Sequence, residues 1–508
     1  MPAKVFSAAT IGLESLPVEV EVDVLAQGLH HFTLVGLPDA AVKESRDRVS
    51  SALKNSGFHP PHHHGRITVN LAPADLPKNG PIYDLAIALG FLLATDQLRF
   101  DPAGKMFAGE LALDGTVRRV HGVLPLAIFA RDHGMTELYV PEENALEAAL
   151  VGGLTVYPVR NLFSLAEHLI GKEPIAPFER GEHFAEESLD EILSDMAEVS
   201  GQEQAKRALE IAAAGGHNIL MVGPPGSGKT LLAKALPSIF PKLPFEESLE
   251  VTKIFSVAGQ LTKERSLIVS RPFRAPHHSA SLVSLVGGGT YPRPGEVSLA
   301  HRGVLFLDEF AEFPKSVLES LRQPLEDGVV TVSRAKGSIR FPARFTLVAA
   351  MNPCPCGFAG DPEHMCTCPP YQVERYREKV SGPILDRIDL QVGVPRVKIE
   401  KLERHERGEE SASIRERVEQ ARKIQTERFA GSATRTNSEM GTTLIREHCA
   451  LDDAAKALLR DAASRLELSA RGYHRILKVA RTIADLAGDE AISTGHIAEA
   501  LQYRFKSE

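Results

Sequence analysis

The sequence predicts an α/β protein organised around one strand–loop–helix unit, with a mixed α+β region before it and an all-helical tail after it. Three observations carry that reading. An apolar strand at residues 218–222 runs into Gly223-Pro-Pro-Gly-Ser-Gly-Lys229-Thr230 and then into a helix at 231–236. Two more apolar strands, 303–307 and 345–350, lead to polar residues, Asp308-Glu309 and Asn352. From Glu400 onward the apolar spacing is almost entirely helical, interrupted by a Gly/Ser/Thr-rich break at 431–443.

At 508 residues the chain is too long for a single core. Four regions are expected: 1–175 as an α+β domain, 176–195 as a linker, 196–400 as the α/β core and 401–508 as a helical domain. In the first, residues 18–24 alternate apolar and acidic side chains as a half-exposed strand would, and 66–71 is a second strand. Residues 40–55 read as an amphipathic helix, and 137–141 as a buried strand following a helix. The linker is marked by Pro174, Pro177 and an acid-rich run at 186–195. The start lacks a basic segment followed by an apolar run, and the longest mostly apolar stretch, 83–94, is too short for a bilayer. A cytoplasmic protein without a membrane partner is expected. The net charge of −8 excludes a uniformly basic surface, although local positive charge can still hold an anionic partner.

Gly223, Pro224, Pro225, Gly226, Ser227, Gly228, Lys229 and Thr230 fit the pattern G-x-x-x-x-G-K-[ST] in its strand–loop–helix setting. The glycines let backbone N–H groups close around phosphates, Lys229 can reach the β and γ phosphates, and the Thr230 hydroxyl can hold Mg²⁺. ATP and Mg²⁺ are therefore the expected cofactors. Asp308 supplies a carboxylate for the Mg²⁺ shell and Glu309 one to polarise the attacking water. Asn352 is the candidate residue that orients the water or γ-phosphate, the plainer reading being a turn residue before Pro353.

Residues 328–341 alternate apolar residues around Ser-Arg334-Ala-Lys336-Gly, a β-hairpin with cations near its tip. Arg334 and Lys336 are the cations near that tip, and charge placed there for solubility is one reading of them. Cys354-Pro-Cys356 and Cys366-Thr-Cys368 offer four thiolates for a structural Zn²⁺, with reduced loop cysteines as the alternative and His364 as a substitute ligand. Cys449 stands apart as a core thiol. Histidines 59, 62, 63 and 64, around Pro60-Pro61, read as a surface turn rather than a metal site.

Three blocks resemble the magnesium-chelatase-type branch of AAA+ proteins: Arg271-Pro-Phe-Arg-Ala-Pro-His-His278, Gly287-Gly-Gly-Thr-Tyr-Pro-Arg-Pro-Gly-Glu296, and Ser298 through Glu309. With Leu71-Ala-Pro-Ala-Asp-Leu-Pro-Lys78 and the cysteine pairs, the chain resembles the YifB/ComM family over nearly its whole length. The resemblance implies a P-loop AAA+ core with a C-terminal helical lid, and an ATP-driven hexameric ring that acts on single-stranded or branched DNA in branch migration. A chelatase-like ATPase that remodels proteins is the alternative. It also implies two arginines. Arg387, in Leu-Asp-Arg-Ile-Asp389, is the expected finger for a neighbour's ATP, unless it merely pairs with Asp386 or Asp389. Arg471, with Arg475 as competitor, is the expected second sensor of γ-phosphate. The same resemblance places the hairpin and a second element, 271–284, towards a pore, which makes Arg334 and Lys336 the candidate contacts to DNA phosphates. Residues 1–170 are similar to the proteolytic domain of Lon-type proteases, but the serine position is Ile82 and the lysine position Leu124 or Leu126. A domain without covalent chemistry, serving as a scaffold, is expected.

Overall fold

The computed structural model describes residues 2–25, 29–179, 194–263, 265–289, 292–334, 337–397 and 408–504. The chain forms two compact units, Met1–Leu189 with Phe245–Val269, and Asp190–Pro244 with Ser270–Glu508.

The first unit carries a seven-stranded mixed sheet. In spatial order its strands are His31–Val35, Arg66–Ala72, Glu14–Val24, Ala3–Ile11, Lys105–Phe107, Glu137–Pro141 and Thr155–Val159. Period-two patterning builds it: Val18, Val20 and Val22 are fully buried while Glu19, Glu21 and Asp23 alternate with them, and Ile67, Val69 and Leu71 do the same one strand over. The amphipathic helix forms at Ala40–Asn55, as its pattern predicts. Asp39 caps it by accepting from Val42 N at 2.7 Å, and Val42, Val49, Ala52 and Leu53 line its buried face. The apolar stretch at 83–94 becomes the helix Asp84–Ala94, buried over most of its circumference against the strands Ala3–Ile11 and Glu14–Val24.

Helix Phe245–Ala258 belongs to this unit although it lies in sequence between two strands of the other. Its anchor is Glu147, a wholly buried carboxylate that accepts from Ser256 Oγ at 2.5 Å and from Leu124 N at 2.9 Å. Burial pushes the Glu147 carboxyl up, against these hydrogen bonds. Ser256 and Leu124 thus share one acid, which fixes the inserted helix to the first unit.

The second unit has a five-stranded parallel sheet in the order Phe273–Arg274, Val304–Leu307, Thr346–Met351, Ile219–Val222, Leu390–Gly393. The phosphate-loop strand is therefore internal, beside the strand that leads to Asn352. Asn218 fixes the starting ends of the strands: its Oδ1 accepts from Leu347 N at 2.8 Å and its Nδ2 donates to Arg387 O at 3.1 Å. The tail supplies the helices Ser411–Arg428, Thr442–His448, Asp453–Arg465, Ala470–Ala487 and Thr494–Gln502. Its apolar residues, including Val418, Ile476, Ile483 and Ile497, share one core with Ile219, Met221 and the helix Glu203–Gly215. The break expected through 443 closes sooner, because Thr442 already opens a helix. Most of the expected linker, 180–193, and the expected boundary at 400 lie outside the described residues.

Candidate functional site

Parallel pairing of Val222 with Met351 brings Gly223 next to Asn352, and Gly223 N donates to Met351 O at 3.2 Å. No side chain fits at Gly223, where a Cβ would stand 2.1 Å from Val394 O. Gly226 and Gly228 take φ of +76° and +92°, the left-handed region that lets the loop turn back on itself. Helix Lys229–Ala235 begins at its end.

Lys229 is 8% exposed, and Nζ donates to Gly223 O at 2.8 Å, Pro224 O at 2.9 Å and Asn352 Oδ1 at 3.3 Å. Burial lowers its pKa, against the opposing charge of Asp308. Thr230 Oγ1 donates to Asp308 Oδ2 at 2.8 Å, so two oxygens suited to a hard divalent cation already lie together. The Ser227 hydroxyl is buried in the loop without a hydrogen-bond partner among the described residues. An ammonium, paired oxygens, an orphaned hydroxyl and a loop opened by a glycine with no room for Cβ are the donor set that a magnesium nucleotide requires, and the residues present fit it.

Glu309 follows with φ +52°, and its Oε2 lies 2.9 Å from His278 Nδ1. In the structure His278 thus lies on the carboxylate next to the metal-binding candidate. No local pattern announced that contact.

Arg387 and Arg471 converge on one carboxylate and not on Lys229. Arg387 Nη2 lies 2.6 Å and Arg471 Nη2 2.8 Å from one oxygen, Glu326 Oε1. Arg387 is 4% exposed, and its Nη1 also donates to Pro383 O at 2.6 Å. The alternative reading, a pair with Asp386 or Asp389, is not what forms, since Glu326 takes that place. Asp389 instead pairs with Arg475 at 3.2 Å and with His217. Burial would raise the Asp389 carboxyl, but the His217 hydrogen bond and the charges of Arg475 and Lys478 hold it far below its ordinary range. The strand Leu390–Gly393 runs parallel to Ile219–Val222, with Leu390 opposite Ile219. Arg387 precedes the start of that strand, whereas the phosphate loop follows the end of its neighbour. The arginine and the chain's own phosphate loop therefore lie at opposite ends of the sheet.

The sulfurs of Cys354, Cys356, Cys366 and Cys368 all lie within 4.8 Å of one another, with separations of 3.4, 3.7 and 3.6 Å among the first three. Tetrahedral Zn²⁺ with bonds of ~2.3 Å requires sulfur–sulfur edges of about 3.8 Å. The cluster therefore fits a tetrahedral metal. His364 takes no part: it stacks on Phe358, 5.2 Å between ring centroids, and contacts Arg396. Cys449 is buried, apart from the four.

The hairpin forms from Val329–Arg334 and Gly337–Pro342, with Arg334 opposite Gly337. Val330, Val332 and Phe341 face inward. Lys336 lies outside the described residues, as does the side chain of Arg334. Arg340, exposed and opposite Thr331, is a further cation that the hairpin presents. In the first unit Ile82, Leu124 and Leu126 are buried in the apolar core, and the buried Lys78 donates from Nζ to Pro73 O.

Three family models match the chain: magnesium chelatase, subunit ChlI, over 195–402; subunit ChlI of Mg-chelatase over 20–144; and the ChlI C-terminal model over 408–504. Competence protein ComM of Haemophilus influenzae is 47% identical over 506 residues, covering 99% of this chain and 97% of its own. An uncharacterized protein of Mycobacterium tuberculosis is 45% identical over 503 residues, 99% and 98% of the two chains. Uncharacterized protein YifB of Escherichia coli is 42% identical over 508 residues, 98% and 96%. Among the described residues no helix is long and apolar enough to cross a membrane.

Proposed function

The chain belongs to the ComM/YifB family of magnesium-chelatase-like AAA+ ATPases, and from that premise we propose that it is a ring motor that spends ATP on moving DNA. The observation that carries the ATPase half is the convergence of Lys229, Asn352, Thr230 and Asp308 on one glycine loop. Lys229 binds the β and γ phosphates once it leaves the loop carbonyls, and Asn352 holds the γ end. Bound Mg²⁺ supplies charge neutralisation on the phosphates, with Thr230 and Asp308 as its protein partners. Glu309 accepts the proton of the attacking water.

Arg387 serves a neighbouring subunit. Support comes from strand direction: the residue starts a strand whose far end faces its own phosphate loop, so only another chain's ATP is within its reach. Arg471, held at the same acid, faces the same way, while Arg475 is committed to Asp389. Catalysis that needs a group from the next subunit makes a closed ring, expected to be a hexamer, part of the mechanism. The hairpin carries DNA through phosphate contacts from Arg334 and Lys336, joined by Arg340. Helicase action or branch migration of recombination intermediates is the expected output. The four cysteines hold a structural zinc that stiffens the loop after Asn352. The first domain is a scaffold of Lon-protease-like descent without catalytic groups, since apolar core residues stand where nucleophile and base would be.

A protein-remodelling role is the second reading, favoured by the magnesium-chelatase descriptions of all three family models. Stimulation of ATP hydrolysis by DNA separates the two: a strong, salt-sensitive response supports the DNA motor, and indifference to DNA supports the second reading.

A further inference from the structure

One acid, Glu326, ties three parts of the second unit together. It sits in the last turn of helix Arg322–Asp327, and Gly328 at φ +64° turns that helix straight into the hairpin. Helix and hairpin are joined again by Gln323 Nε2 donating to Thr331 Oγ1 at 3.1 Å, and Ala343 N donates back to Gly328 O at 2.8 Å. A displacement of the hairpin therefore carries Glu326 with it. The other two parts are the segment before strand Leu390–Gly393, through Arg387, and the start of helix Ala470–Ala487, through Arg471.

The linkage is built to open. Arg387 is nearly buried, yet its Nε has no hydrogen-bond partner among the described residues. A buried donor left unmade is costly, so a phosphoryl group, with more oxygens and more charge than one shared carboxylate atom, competes well for this guanidinium. Glu326 is 42% exposed and Arg471 59%, so both regain water readily when they part. Two cations on a single oxygen also repel each other, which weakens the hold of the carboxylate on both.

We propose that Glu326 is a positioning residue that holds Arg387 and Arg471 in reserve, and that loading the attached hairpin with DNA withdraws it and releases both guanidinium groups towards a neighbour's phosphate. The load in this scheme rests on the DNA-motor reading; the clamp itself does not.

The test is Glu326→Gln in the full chain, which keeps size and removes charge. ATP hydrolysis is measured with and without single-stranded DNA, together with the KM for ATP and the thermal midpoint. The DNA-free rate is expected to rise roughly three- to ten-fold, the scale of losing two partly exposed ion pairs. The ratio of DNA-stimulated to DNA-free rate falls towards one, and KM changes less than about two-fold because Lys229 and its loop are untouched. An unchanged DNA-free rate with full stimulation overturns the clamp, as does loss of turnover in both conditions. Wild-type protein indifferent to DNA would sink the DNA reading and the hairpin load; the clamp then stands or falls on the DNA-free rate alone. If the glutamine variant fails to fold, Glu326→Asp, which withdraws the carboxylate by one methylene, is read by the same criteria.

Discussion

Replacing Arg387 by alanine separates binding from turnover. The side chain is 4% exposed and makes two short contacts, to Glu326 Oε1 at 2.6 Å and Pro383 O at 2.6 Å. Glu326 is 42% exposed and keeps Arg471 as its partner, so the folding cost is about 1–2 kcal/mol rather than that of an orphaned buried charge. Thermal unfolding should therefore still be cooperative, and ATP affinity should stay within about two-fold because Lys229 lies at the other end of the sheet. Turnover should fall roughly 10³-fold, the lower end of what a finger arginine contributes. Mixing this variant with Lys229→Ala distinguishes cis from trans action. A productive interface then needs an intact Lys229 on one side and an intact Arg387 on the other. Random equal mixing supplies that at about a quarter of interfaces, so roughly a quarter of the wild-type rate should return. Steady-state hydrolysis at several mixing ratios is the assay. A wild-type rate from Arg387→Ala alone, or no recovery at any ratio in a mixture shown to co-assemble, would refute the reasoning.

Lys229→Ala should abolish hydrolysis and weaken nucleotide binding, measured by turnover and by a fluorescent nucleotide; normal turnover would remove the phosphate loop from the mechanism. Gly223→Ala forces a Cβ to within 2.1 Å of Val394 O, so it should cost ATP affinity at least about ten-fold while leaving the first unit folded, as read by binding and by limited proteolysis. Purified protein should contain about one zinc per chain by metal analysis, and Cys356→Ser should lose it and lower the thermal midpoint. A metal-free protein of unchanged stability would return the cysteines to an ordinary loop.

The parts of the fold that were legible in the sequence were those with a strong local period or a short-range motif. The helix Ala40–Asn55 and the strand Glu137–Pro141 have the bounds their patterns predict. The phosphate loop needed only its glycines, its lysine and the strand before it. Long-range placement was not legible. Nothing local shows that Phe245–Val269 packs with the first unit, because its anchor, Glu147 to Ser256, joins residues 109 positions apart. Glu326 is one acid in an ordinary amphipathic turn until folding brings Arg387 and Arg471 to it. The alternative partners of Arg387, Asp386 and Asp389, were its neighbours in sequence, and the fold supplies a different carboxylate from another helix. His278 likewise meets Glu309 only because the strands Phe273–Arg274 and Val304–Leu307 pair in parallel and carry the segments after them side by side.

ATP hydrolysis by the purified protein, with and without single-stranded and branched DNA across a salt series, tests the central claim most directly. The DNA-motor account predicts strong stimulation that falls steeply as salt rises, because the hairpin cations meet phosphates and release counterions. Robust hydrolysis at one rate regardless of DNA and salt would contradict it, leaving an AAA+ ATPase whose substrate is a protein.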